Sequence, residues 1–240
     1  MGDKQAVKEL FENTDLYLTY DYNLRIRQET VEEFTKGIAF ASVLDVPCGT
    51  GSISAPLLPR CQQLTLIDVS ANMLAIARKN VDEAQKHKVL FIHKDIFETD
   101  LLPDSYDLVI CLGLLAHIES PEQLLNKIIS LVKPGGLLIL QNTDSGHFYS
   151  HLIRLYLGFK SLLGKQPYKL NKVPAKLIEG LAAKNKLQLL KCYRYNQSFL
   201  GLSNFFSNEK KYNLTCGFFG TAAKPRNQSW GSDYTYLFRK

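Results

Sequence analysis

The stretch 43-VLDVPCGTGSIS-54 decides how the rest of the chain is read. Val43, Leu44 and Val46 surround Asp45, then Pro47, Gly49 and Gly51 follow, and the residues beyond look helical. A buried strand that ends in glycines lets its backbone come close to another group, because no Cβ stands between them. In a doubly wound sheet that place is the carboxyl end of the strands, near the reversal of strand order, where ligands lie.

The pattern repeats along the chain. Apolar runs at 42–46, 63–69, 88–95, 106–112 and 137–142 are separated by helix-length segments. Near-continuous apolar character is what a parallel sheet covered on both faces requires, and the alternation is that of βαβ units. Ser120-Pro121-Glu122-Gln123 reads as the opening of a helix, with Ser120 as N-cap, Pro121 at the first position and Gln123 at the third. Lys133-Pro134-Gly135-Gly136 reads as the turn that stops it. Before the first strand, 5–13 and 27–40 have helical spacing, with a break between them that is dense in tyrosine and arginine. After 142 the expectation is a helical, basic stretch, a helix near 174–186, and strands at 187–196 and 234–240. Residues 197–229 show no readable period.

The chain has 240 residues, 45% hydrophobic and 22% charged, the balance of an ordinary globular protein. We expect one domain over 1–240: an N-terminal helical lid (1–40), a cofactor-binding core (41–142), a substrate cap and helix (143–186) and C-terminal strands (187–240). No run reaches the ~18 apolar residues of a membrane span, so integral membrane association is not expected. The N-terminus lacks signal-peptide character, so a cytoplasmic location is expected. Five scattered cysteines without C-x-x-C spacing fit reduced thiols, and no metal site is expected. Charge is divided: residues 1–144 hold 13 Lys and Arg against 20 Asp and Glu, residues 145–240 hold 16 against three. The second part is built to face something anionic, or to be a solvated basic surface.

Asp68 ends the second strand, seventeen residues beyond Gly51, where a carboxylate can accept hydrogen bonds from ribose hydroxyls. A dinucleotide site would need G-x-G-x-x-G/A, and here Ser54 stands at the third position. These residues resemble the class I S-adenosylmethionine (SAM)-dependent methyltransferases. Asp45-x-Pro47-x-Gly49-x-Gly51 is similar to the family's first motif, with Pro47 in place of its first glycine. Asp68 matches the acid ending its second strand, and Asp95-Ile96 resembles the acid that faces the adenine amine. Segments 106–118 and 133–140 are similar to its later motifs. The resemblance implies an α/β fold with a doubly wound, seven-stranded, mostly parallel sheet, an N-terminal lid and an insertion after strand 5. It implies SAM as cofactor, held by Asp45, Pro47, Cys48, Gly49, Gly51, Asp68, Val69, Met73, Asp95, Ile96 and Leu112. From the lid it adds Tyr20, beside Tyr17 and Tyr22, and an arginine for the methionine carboxylate, Arg25 before Arg27.

In such a family the cofactor brings the chemistry, and the protein supplies binding and alignment. A base is useful only where the acceptor loses a proton; His117, after the fourth strand, and His147 and Tyr149, after the fifth, with His151 nearby, are the candidates. Residues 150–172 are apolar and basic without an acid, fitting a cap over an apolar substrate or a helix against a membrane surface. The expected acceptor is therefore a small molecule or peptide, anionic or amphipathic, methylated at O or N. Peptide-carboxylate methylation in natural-product maturation is a second reading, RNA methylation a third, and a non-catalytic SAM-binding protein a fourth. Nucleic acid is disfavoured, because CLGL (111–114) stands where an N/D-P-P-Y/F motif would be and no RNA-binding module is visible. Nothing in the sequence specifies an oligomeric state.

Overall fold

The computed structural model describes residues 21–162, 173–199 and 205–240. Helix α1 (Asp21–Phe34) leads into β1 (Phe40–Asp45). Then follow β2 (Cys61–Asp68), α2 (Ala71–Asn80), β3 (Val89–His93), β4 (Tyr106–Cys111), α3 (Pro121–Leu131) and β5 (Val132–Thr143). The C-terminal part adds α4 (Phe148–Leu162), α5 (Ala175–Lys184), β6 (Gln188–Tyr195), α6 (Asn208–Phe219) and β7 (Asp233–Arg239). A two-residue ribbon, Gly220–Thr221 with Lys224–Pro225, follows α6.

The seven strands form one sheet in the order β3-β2-β1-β4-β5-β7-β6. Only β7, lying between β5 and β6, runs antiparallel to its neighbours. Strand order reverses between β1 and β4, which pair in parallel. This is the doubly wound sheet expected from the apolar runs.

Alternation along each strand feeds two cores. Val43, Leu64, Leu66, Leu108, Ile110 and Ile139 face α1, α2 and α6 through Ile26, Phe34, Leu74, Ala77 and Phe219. Leu44, Ile67, Val109, Leu138 and Leu140 face α3 and α5 through Leu124, Ile128, Ile178 and Leu181. All these strand residues are almost fully buried, which is why the runs carry no polar face.

Several local expectations differ. The helix expected directly after the glycine loop is a short 3-10 segment, Ala55–Arg60, because Pro56 and Pro59 remove the donors a longer helix needs. Helix α1 starts at Asp21, so the tyrosine- and arginine-rich segment is helical from there onward. Ser120 precedes α3 but its side chain makes no capping hydrogen bond. The 133–136 turn is instead an irregular entry to β5. Gly135 has φ +80°, and a Cβ on Gly136 would lie 2.9 Å from the Lys133 carbonyl and 3.1 Å from that of Asp107. The helix expected at 5–13 lies outside the described residues, as does the end of the 150–172 segment.

At the opposite end of the sheet from the glycine loop, Asp107 joins three strands. Its carboxylate accepts from the backbone N–H groups of Ala41 (2.7 Å) and Ser42 (2.8 Å) and from Lys133 Nζ (2.7 Å). Partial burial alone would raise its pKa, but these hydrogen bonds and the lysine hold it below the ordinary carboxylate value. A depressed folded pKa contributes stability that is present above the unfolded value and lost as pH falls through the folded one. Asp107→Asn should therefore cost about 1–2 kcal/mol at pH 7, with the difference from wild type shrinking below about pH 4 in denaturant melts.

Candidate functional site

The segment leaving β1 is tied down on both sides. Val46 N–H donates to Ile110 of β4 (3.0 Å) and Cys48 N–H to Ile67 of β2 (2.9 Å). Gly49 and Gly51 have φ +51° and +70°, and the Val46–Pro47 bond is cis. A Cβ on Gly51 would stand 3.2 Å from the Ala77 Cβ of α2, so this glycine also allows close helix packing. Asn80 Nδ2 donates to the Thr50 carbonyl (3.0 Å) and Gln28 Nε2 to that of Ser52 (2.7 Å).

Two buried carboxylates hold the loop from within. Asp68 accepts from Gly49 N–H (2.8 Å) through one oxygen and from Ser70 N–H (2.9 Å) through the other. Asp45 accepts from Ser54 Oγ at 2.6 Å. Ser54, which stands where a dinucleotide motif would carry Gly or Ala, is thus a structural partner of Asp45. Asp95 caps the turn after β3, accepting from Phe97 N–H at 3.1 Å. Burial raises the pKa of Asp68, offset in part by the Ser70 and Gly49 N–H groups. Burial, with a smaller push from Asp68 and against the Ser54 hydrogen bond, raises Asp45 to about 7.

These groups suit SAM. The loop at the ends of β1 and β4 presents backbone and glycine, and an ionised carboxylate has about four acceptor positions, so Asp68 keeps acceptor capacity for a ribose diol beyond its two backbone contacts. Acids at 45, 68 and 95 favour a ligand bearing a sulfonium and an ammonium. Val69 and Leu112 stand just beyond the ends of β2 and β4, and Leu112, Met73 and Ile96 are buried. Among the described residues no group of three or more His, Cys, Asp or Glu could hold a metal ion. No helix among them is long and apolar enough to cross a membrane. All five cysteines are free thiols.

Beyond β4 a second, polar cluster gathers where β5 and β6 end and β7 begins. Arg27 of α1 lies against Gly113, its Nη2 3.5 Å from where a Cβ would stand, and donates to Gln197 Oε1 at 3.3 Å. Gln197 N–H donates to Asp233 (2.8 Å), and the Tyr22 hydroxyl donates to the Gln197 carbonyl. Gln141 Nε2 donates to the Tyr195 hydroxyl at 3.3 Å. Burial raises Asp233, which Thr143, Gln197 N–H and Arg27 counter. Tyr195 is pushed up to about 12 by burial, against Arg27. His117 sits beside this cluster, its pKa lowered by burial and then by the Arg27 charge, so its imidazole is neutral at pH 7.

Not every expected residue comes to this place. Arg25 points outward, paired with Glu29 (3.1 Å) and Glu209 (3.4 Å), its guanidinium 3.7 Å above the Tyr212 ring. Arg27, the second choice, is the one that lies beside the end of β4. His147 is pinned: Nδ1 accepts from Tyr149 N–H (3.2 Å), leaving Nε2 to donate to the Ser229 carbonyl (3.0 Å). Tyr149 donates its hydroxyl to the Ser198 carbonyl at 2.5 Å. Tyr17 and Tyr20 lie outside the described residues. Gln141, Tyr195, Gln197 and Asp233 were not anticipated. The available signal was Asp233, one of only three acids after residue 144.

A buried carboxyl whose folded pKa is raised contributes stability that is complete below the unfolded pKa and lost as pH rises through the folded one. For Asp45 that window runs from about 4 to about 7. Asp45→Asn, which keeps an acceptor for Ser54, should raise Tm by roughly 5–10 °C at pH 8.5 and leave it unchanged near pH 4, measured by thermal melts across that range.

Residues 43–136 match the model of a family described as a methyltransferase domain. A ubiquinone biosynthesis O-methyltransferase from Idiomarina loihiensis is 32% identical over 121 residues, covering 50% of this chain and 49% of that one. The mitochondrial protein of the same description from Schizosaccharomyces pombe is 31% identical over 117 residues, covering 48% and 42%. The chain thus spans about half the length of the curated relatives it matches. Over nearly its whole length it superposes on a magnesium protoporphyrin IX methyltransferase from Synechocystis with bound SAH, at TM-score 0.65, 16% identity and coverages of 99% and 100%. A SAM-dependent methyltransferase from Thermotoga maritima superposes at TM-score 0.63, 16% identity and coverages of 97% and 99%. At such identities the likeness is one of fold, and it agrees with the sheet order and with the motif match. Residues 43–136 therefore match a methyltransferase domain, and the fold around them is the one seen in solved SAM-dependent methyltransferases.

Proposed function

We propose that the chain transfers a methyl group from SAM to an oxygen or nitrogen of a small or peptide-like anionic metabolite. One observation carries this reading furthest. Arg27 Nε and Gln141 Oε1 are buried without a hydrogen-bond partner among the described residues. Buried polar atoms are nearly always satisfied, so this pair, on groups beside Tyr195 and Gln197, supports a ligand there. A guanidinium there suits a carboxylate or other oxyanion. The relatives described as O-methyltransferases favour oxygen as the acceptor atom.

SAM, when bound, supplies an electrophilic methyl group on a sulfonium. Asp68 would hold its ribose, and the Cys48–Gly51 backbone would line its place. Arg27 orients the acceptor by its anionic group, which is the alignment that in-line transfer depends on. The packing of Tyr22 and Gln197 over Arg27 keeps water from this side. His117, held neutral, accepts the proton of a hydroxyl acceptor at its imidazole; a carboxylate acceptor has no such need.

Calorimetric titration of SAM and of its demethylated product into the full chain tests the first step. Micromolar binding by wild type, weakened at least ~10-fold in Asp68→Ala, is expected, a loss of about 1.4 kcal/mol or more. Absence of binding to wild type would sink the assignment. In assays against anionic acceptors, Arg27→Ala should raise KM at least ~10-fold with little change in kcat. His117→Gln should lower kcat for a hydroxyl acceptor about 100-fold and remove the acidic limb of the pH profile, which in wild type lies below the usual histidine value.

A further inference from the structure

A groove of about 480 Å³ runs between the start of α4, α6 and the segment before β7. Phe148, Leu152, Phe199, Leu214, Phe218 and Trp230 supply most of its wall. Leu152, Leu214, Phe218 and Trp230 are 45%, 44%, 47% and 54% exposed, an unusual concentration of large apolar side chains in one concavity. The groove is built rather than incidental. Phe148 meets Trp230 edge-on at 5.3 Å, and the His147 ring meets Phe148 at a tilt, centroids 4.6 Å apart, while bonded to the carbonyl of Ser229, next to Trp230. Tyr149 ties α4 to Ser198. Its size and lining are those of a small-molecule site.

Three features say what would fill it. Thr215 lines the groove, is 2% exposed, and its hydroxyl has no hydrogen-bond partner among the described residues. Asn196 and Ser198 also line it, and Gln197 between them is the residue that Arg27 and Asp233 hold, so the groove opens along the same segment as the polar cluster. Two cations stand at the ends of α6. Lys210 lies one helical turn before Leu214, and Arg226 donates to the Gly217 carbonyl (3.1 Å) at the other end of α6. Of the three acids after residue 144, Asp233 is buried beneath Gln197, Glu209 pairs with Arg25, and Glu179 is on α5, which packs on the opposite face of the sheet.

We propose that this groove holds the apolar body of an amphipathic monoanion, an aliphatic or aromatic acid whose negative head passes Gln197 to reach Arg27. The identity of the head group's partner rests on the acceptor role given to Arg27 above, whereas occupancy of the groove does not. Trp230 is the only tryptophan in the chain, so its emission reports the groove directly.

Full-length protein is titrated with decanoate, decanamide and decyltrimethylammonium while Trp230 emission is followed, with calorimetry of the same ligands as a second readout. The expected result is saturable decanoate binding, at least fivefold tighter than decanamide and tighter still than the cation. Leu214→Glu and Phe218→Glu, both at half-exposed positions, should weaken decanoate at least tenfold with SAM affinity within twofold of wild type. Arg27→Gln should bring decanoate down to the level of decanamide while decanamide itself binds as before, which also shows the variant folded. No saturable binding of any of the three ligands by wild type, or equal binding of all three, overturns the proposal. So does a decanoate preference that survives Arg27→Gln, or a Trp230 response seen only with anionic lipid vesicles. Failure here with SAM binding intact leaves the methyltransferase reading standing; loss of SAM binding in wild type removes that reading and not the groove.

Discussion

The Asp68 carboxylate, accepting at once from Gly49 and Ser70, is the contact on which the site depends. β1 ends abruptly, and its exit turns over the end of β2; the Val46 and Cys48 N–H groups still reach strand carbonyls, but that of Gly49 does not. A buried acid at the end of β2 satisfies it from below and fixes the loop's height above the sheet. The same burial that makes these hydrogen bonds strong also raises the pKa of Asp68 and, more, of Asp45. Two acids close together in a dry place are destabilising by themselves. A cationic ligand at the loop offsets that cost, so shaping the loop and selecting the charge of the ligand are one arrangement.

The sheet was legible because burial on both faces leaves a strand no choice of composition. The glycine loop was legible because positive φ and close packing exclude other residues at 49 and 51. What escaped has physical reasons as well. Helix α6 buries Lys211, Thr215 and Phe219, a proper i, i+4, i+8 stripe in which two of three members are polar, so no hydrophobic period marks it. The choice between Arg25 and Arg27 turned on geometry that spacing partly encodes. Arg25 stands four residues before Glu29, the spacing of a surface ion pair, and that is where it points. Arg27 shares its side of α1 with Asn23, and both meet Gln197. His147 could not be told from a catalytic histidine by sequence, because its partners are a local N–H and a carbonyl 82 positions away.

The polar cluster is assembled from four separate parts of the chain: α1, the end of β5, the exit of β6 and the start of β7. No local motif could announce it. Its one carboxylate is enclosed by Thr143, Ser232 and the Gln197 backbone, so Asp233 acts as a fixed acceptor that orders the β6 exit. That ordering places Gln197 where it can hold Arg27 beside Gly113, whose φ of +81° is what favours glycine at the end of β4.

Charged groups are also set apart in space at the carboxyl ends of the strands. Acids at 45, 68 and 95 belong to β1, β2 and the turn after β3, on one side of the reversal in strand order. Arg27 lies over β4 toward the other side, with the acid-poor C-terminal part forming the wall beyond. A sulfonium ligand and an anionic acceptor would each meet the opposite sign on its own side, and each would be disfavoured on the other.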